Sequence, residues 1–132
     1  MESIENIKHA GLKLTPQRRM IYQAMIELRH ATLDDIESHL KSKAIDMTTS
    51  TVYRVLDSFC RSNLLSLFFH PETGKGYYDI TTREHHHIFS SDQVSDFEAP
   101  GLSEVVRDYL RKQNIPEEDI EKVQVQITTI HK

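Results

Sequence analysis

The chain has 132 residues, carries 16 Lys/Arg against 20 Asp/Glu for a formal charge of −4, and contains one cysteine. That length suits one domain of ordinary size or two small ones packed together, each marginal alone. Cys60 by itself excludes an internal disulfide and a Cys-rich zinc site within one chain, and no apolar run is long enough to span a bilayer.

The N-terminal Met1-Glu2-Ser3-Ile4-Glu5 is acidic and lacks the basic and apolar regions of a signal peptide, so the expected location is the cytoplasm, with no membrane partner. Charge is unevenly spread: residues 1–63 hold nine Lys/Arg and eight Asp/Glu, whereas 64–132 hold seven and twelve. The near-neutral half can present a local basic face to phosphate, and the acidic half attracts metal cations or packs against a partner.

In chain order, residues 3–10 read as a short helix with Ile4 and Ile7 inward, stopped by Gly11. Thr15-Pro16 is a helix start, with Thr as N-cap and Pro where its missing N–H costs nothing. Ile21, Met25 and Leu28 carry that helix to about Leu28, followed by a break at Arg29-His30-Ala31. Thr32 with Asp35 resembles a capping box, and Leu33, Ile36 and Leu40 form the buried stripe of a second helix. A third helix starts at Thr48-Thr49-Ser50, with Val52, Val55, Leu56, Phe59 and Cys60 on one apolar face and Ser50, Thr51, Tyr53, Arg54, Asp57 and Arg61 on the other. This order is that of a helix-turn-helix unit. Leu64–His70, the turn Pro71-Glu72-Thr73-Gly74 and Lys75–Asp79 read as a hairpin, which directly after a helix-turn-helix is the wing of a winged helix.

Past the wing, Gln93–Phe97 alternates as a short strand, Pro100-Gly101 breaks the chain, and Leu102, Val105, Val106, Tyr109 and Leu110 define an amphipathic helix ending near Asn114-Ile115-Pro116. Glu117-Glu118-Asp119 precedes Val123–Thr128, whose alternation is that of a strand with one buried face. The expected fold is α+β: a winged helix-turn-helix domain over 1–80, a hinge at 81–84, and a small α/β dimerisation domain over 85–132. A homodimer would bury its open strand edge.

The stretch Asp79–Phe89 concentrates the chemistry. If His85-His86-His87 runs as a strand, His85 and His87 share one face and His86 takes the other. Two imidazoles with the carboxylates of Asp79 and Asp96, completed by His30, make a mixed N/O site suited to Fe(II), Mn(II) or Zn(II). On the third helix, Tyr53 and Arg54 are the candidate DNA readers, while Ser50 and Thr51 sit where a helix N-terminus meets phosphate or a base edge. Lys13, Arg18, Arg19 and Lys75 are then phosphate contacts.

At these residues the chain resembles the ferric uptake regulator family of metal-responsive bacterial repressors. The carrying segments are Gly11–Arg18, His30–Ile36, Ser50–Leu56 with its Thr-Val-Tyr-Arg, and Tyr78-Asp79 followed by His85-His86-His87. The resemblance implies a homodimer bound to a palindromic operator in double-stranded DNA, with His30, Asp79, His85, His87 and Asp96 as the regulatory metal site and Tyr53 and Arg54 in contact with DNA. A second family site would use Glu84, His86 and an acid near Glu104, although Ser103 takes the expected acidic position. Most of the family also holds a structural zinc on two cysteine pairs. Here Ser90-Ser91-Asp92 stands in place of the first pair and the sequence ends at His131-Lys132, so no such zinc is expected. Asp rather than Glu at Asp96 leans toward the peroxide-sensing branch, in which peroxide reacting at bound Fe(II) oxidises a ligand histidine.

Three functions follow as alternatives. The first is a metal-dependent repressor of metal-homeostasis or peroxide-stress genes. The second is a constitutive DNA-binding regulator with a vestigial metal site. The third is a metal-dependent hydrolase, against which stands the lack of a Gly-rich catalytic loop or a convincing general base near the cluster.

Overall fold

The computed structural model describes residues 3–90 and 93–130. The chain divides into two compact units, Met1–Thr82 and Arg83–Lys132.

The first unit is built from local signals that a helix can read. Helix α1 (Asn6–His9) is one turn, left through Gly11 at φ 82°, a conformation glycine adopts without penalty. Helix α2 (Pro16–Leu28) begins where Thr15 Oγ1 accepts the Arg18 N–H at 3.2 Å. Helix α3 (Leu33–Ser42) has a complete capping box: the Thr32 N–H donates to the Asp35 carboxylate at 3.0 Å, and the Asp35 N–H donates to Thr32 Oγ1 at 3.1 Å. Helix α4 (Thr49–Arg61) starts where Thr48 Oγ1 accepts the Thr51 N–H at 3.3 Å, and it buries Val52, Leu56 and Phe59. These faces meet Ile7, Ile21, Tyr22, Met25, Ile36 and Leu40 in one apolar core, within which Tyr22 and Phe59 pack edge to face at 5.7 Å. Each fully buried aliphatic side chain here contributes roughly 1.5–3 kcal/mol relative to exposure.

The wing closes this core. Strands β2 (Ser66–Phe69) and β3 (Gly76–Asp79) pair antiparallel, and Gly74 at φ 75° provides the turn between them. The break expected at residues 29–31 is in fact strand β1 (His30–Ala31), which pairs with β3 to give the order β1-β3-β2. The departure has a local cause. Arg29 takes φ 71°, swings the chain out of α2, and its carbonyl accepts the Ile80 N–H at 2.9 Å.

The second unit is a three-stranded sheet and a helix. Strand β4 (His86–Ser90) lies between β5 (Gln93–Phe97), antiparallel to it, and β6 (Gln126–Thr129), parallel to it. Two expectations need correction. Pro100 and Gly101 do not break the chain but form the first turn of α5 (Pro100–Lys112), where proline forfeits no hydrogen bond. The last strand starts only at Gln126 and all four of its residues are exposed, whereas buried Val123 precedes it. The apolar stripe read on α5 is also divided: Val105 and Tyr109 are 65% and 63% exposed, and the residue buried on the inner side is Ser103.

Candidate metal centre and nucleic-acid interface

The register of β4 on β5 sets His87 directly opposite Asp96. Alternation along the strand brings His85 to the same side, and the two imidazoles meet edge to face at 4.6 Å. Both rings point Nε2 at one oxygen: His85 Nε2 lies 3.8 Å and His87 Nε2 3.7 Å from Asp96 Oδ1. His87 is wholly buried and His85 nearly so, while Asp96 is partly open to solvent. A first-row divalent ion about 2.1 Å from each of its donors holds them roughly 3–4 Å apart, so this spacing and this mix of neutral nitrogen and carboxylate oxygen fit such an ion.

The outer contacts orient the rings for that task. His85 Nδ1 is 2.7 Å from the Arg83 carbonyl, an acceptor, so the ring proton resides on Nδ1 and the Nε2 lone pair faces Asp96. Gln124 Nε2 lies 3.2 Å from His87 Nδ1; with the amide turned over, its oxygen would accept the ring proton there and leave His87 Nε2 as a donor atom to an ion. Gln124 gave no signal in the sequence, because only the return of the chain toward β6 brings it to the ring.

The other two expected ligands stand together in the first unit. His30 and Asp79 are direct cross-strand partners in the β1–β3 pair. Asp79 is fully buried, and its Oδ1 accepts the Thr81 N–H at 2.8 Å. His30 therefore belongs to a strand, not to a turn between helices.

Glu84, His86 and Glu104 are placed differently. His86 is buried on the opposite face of β4, where its Nδ1 accepts the Val125 N–H at 2.9 Å and its Nε2 lies 3.0 Å from Ser103 Oγ. Glu84 accepts two bonds from Arg107, at 2.9 and 2.7 Å, and one from the Val123 N–H at 2.8 Å. These donors hold its carboxyl well below the usual range, at about 2, with Arg107 the main cause. Glu104 is exposed, and among the described residues these three side chains form no second cluster with metal-ligand spacing.

On α4, Tyr53 is 53% exposed and Arg54 and Ser50 are exposed, with Thr51 half-buried at the first turn. A cleft of about 600 Å³ runs beside them, lined by Thr15, Gln17 and Arg18 from the start of α2 and by Thr51, Arg54 and Arg61 from α4. Sequence put Arg61 on the polar face of this helix with Arg54 but named neither it nor Gln17 as a DNA contact. Arg18 is braced by donating Nη1 to the Lys13 carbonyl at 2.8 Å. Arg19 instead lines a separate apolar groove with Met20, Gln23 and Leu40. Lys13 and Lys75 are exposed, the latter beside the wing turn.

A winged helix-turn-helix unit followed by a small α/β unit with a His/Asp cluster is the build of a metal-responsive DNA-binding regulator. The ferric uptake regulator family profile matches residues 9–128, and the chain belongs to that family. It is 33% identical over 107 residues to the peroxide operon regulator of Bacillus subtilis (strain 168), covering 79% of this chain and 73% of that protein. Among solved structures, the ferric uptake regulator of Vibrio cholerae superimposes with a TM-score of 0.80 at 21% identity, covering 98% of this chain and 100% of the other. The ferric uptake regulator of Pseudomonas aeruginosa with manganese gives a TM-score of 0.77 at 22% identity, covering 100% and 99%. The relatives are transcriptional regulators, not enzymes. No helix among the described residues is long and apolar enough to cross a membrane.

Proposed function

We propose that the protein is a homodimeric, metal-gated transcriptional repressor of the peroxide-responsive kind, acting in the cytoplasm on a palindromic operator. The observation that carries this reading is the convergence of the His85 and His87 Nε2 atoms on Asp96 Oδ1 from adjacent strands. His30 and Asp79, paired across β1 and β3, would complete the set from the winged-helix unit. An ion held by ligands from both units would bias how two recognition helices are spaced, which is what half-sites in successive major grooves read. Metal and DNA affinities are then reciprocally coupled. Fe(II), Mn(II) or Zn(II) suits the donors, and bound Fe(II) would supply the peroxide reactivity. Tyr53 and Arg54 would read base edges, Ser50 and Thr51 would meet phosphate or a base edge, and Lys13, Arg18 and Lys75 would contact phosphate.

Dimerisation is supported by what the second unit leaves uncovered. Among the described residues its buried apolar side chains are Phe89 and Val123, whereas Phe97, Val105, Tyr109, Ile115, Ile127 and Ile130 are exposed. A unit this small needs a second apolar surface, and a second copy with the same stripe provides one.

The test is a gel shift on duplexes selected from a random-sequence pool, with and without chelator, then with Mn(II), Fe(II) or Zn(II) restored. Metal-dependent retardation that the double variant His85→Ala/His87→Ala loses is the expected result. Retardation unchanged by chelator and by that variant would instead identify a constitutive binder. For the peroxide branch, Fe(II)-loaded protein treated with hydrogen peroxide should gain an oxygen atom on a ligand histidine, read by mass spectrometry.

A further inference from the structure

We propose that Arg107 is a positioning residue for the metal-binding face of β4, acting as a built-in cation through Glu84, Ser103 and His86. This inference rests on the metal-site reading above and adds residues that reading does not use.

The hydrogen-bond directions can be followed proton by proton. The Val125 N–H donates to His86 Nδ1, so the neutral ring carries its proton on Nε2 and donates it to Ser103 Oγ. Ser103 also helps to hold the Glu84 carboxyl low, and Glu84 takes both terminal nitrogens of Arg107 and the Val123 N–H. Arg107 Nε in turn lies 3.1 Å from the Glu117 carboxylate. The atoms that an ion would use already have partners. The Nδ1 of His86 accepts a backbone N–H, its other nitrogen is protonated, and Glu84 faces a guanidinium in a bidentate fork. The cluster holds together without metal.

Its location gives it a purpose. Glu84 precedes His85, and His86 stands between His85 and His87, so the clamp holds β4 from the face opposite the ligands. It ties the start of β4 to α5 and to the segment leading into β6. Ligand atoms must be held within about 0.5 Å of productive geometry, and outer contacts of this sort typically govern 10–100-fold in metal affinity. Fixing His86 at both ring nitrogens fixes the strand that presents its two neighbours.

The experiment is Co(II) titration of the full chain, following affinity and the visible absorption bands of the bound ion. Wild-type protein should take a single equivalent, lost in His85→Ala/His87→Ala. Arg107→Met should weaken Co(II) by about 10–100-fold and shift its bands, with Arg107→Lys restoring part of both. Ser103→Ala, which cuts the link while leaving the charges, should shift the bands in the same direction and serves if Arg107→Met fails to fold. If both Arg107→Met and Ser103→Ala fold with wild-type affinity and bands, the positioning role is overturned while the metal site stands. A second equivalent lost in His86→Ala would overturn the metal-free reading of the clamp. No Co(II) binding by the wild type would overturn the metal site and this inference together.

Discussion

Cys60 illustrates how burial decides chemistry at one residue. It lies half-buried on α4, where desolvation, aided by Asp57, pushes its thiol from the ordinary 9.0 up to about 11. The thiolate is the reactive form, so iodoacetamide should label the native protein at pH 8 far more slowly than the urea-unfolded chain. The sign for stability follows. Above pH 9 the unfolded chain releases this proton while the folded protein keeps it, so stability falls as pH rises from about 9 toward 11. Cys60→Ser should remove that part of the alkaline decline in urea midpoints. His86 is the complementary case. The triplet was legible in sequence and so was its alternation, but the hydrogen bonds of His86 come from Val125, which carried no signal of its own, and from Ser103, which sequence marked only as standing in an expected acidic position.

At the scale of elements, the helices were legible because their start signals are local. Thr15, Thr48 and the Thr32/Asp35 pair cap the helices they were expected to cap. Thr32→Ala should therefore cost about 0.5–2 kcal/mol in urea unfolding, with the slope unchanged. Two of the short strands were misread, β1 as a break and β6 as beginning at Val123. Strand β1 depends on a positive φ at Arg29, where sequence would suggest glycine or asparagine, and β6 forms only where β4 offers an edge. On α4, Arg54→Ala should weaken binding to a selected duplex by about 1–3 kcal/mol and relax base preference. Arg18→Ala should weaken all duplexes alike and reduce the salt slope by about 1.

For the whole molecule, the apolar residues left outside the second unit's core predict association. Val105 and Tyr109 lie one turn apart on α5. The double variant Val105→Asp/Tyr109→Glu should sediment as a monomer and lose operator binding, while isolated metal affinity measured with Co(II) changes less than DNA affinity. A dimer that survives both charges would place the interface elsewhere, on Phe97, Ile127 and Ile130. Because a C2 interface buries the same patch twice, two charges per chain become four at the contact.

Sequence by itself determined the capped helices, the wing and the residue types of the metal cluster, since caps, turns and period-two alternation act over a few residues. Only the tertiary structure decided which of them meet. The register of β4 on β5 placed His87 opposite Asp96, the pairing of β1 with β3 placed His30 beside Asp79, and the packing of α5 gave Glu84 and His86 to Arg107 and Ser103. Such contacts join segments far apart in the chain, and their partners are chosen by backbone edges and burial that no local pattern encodes.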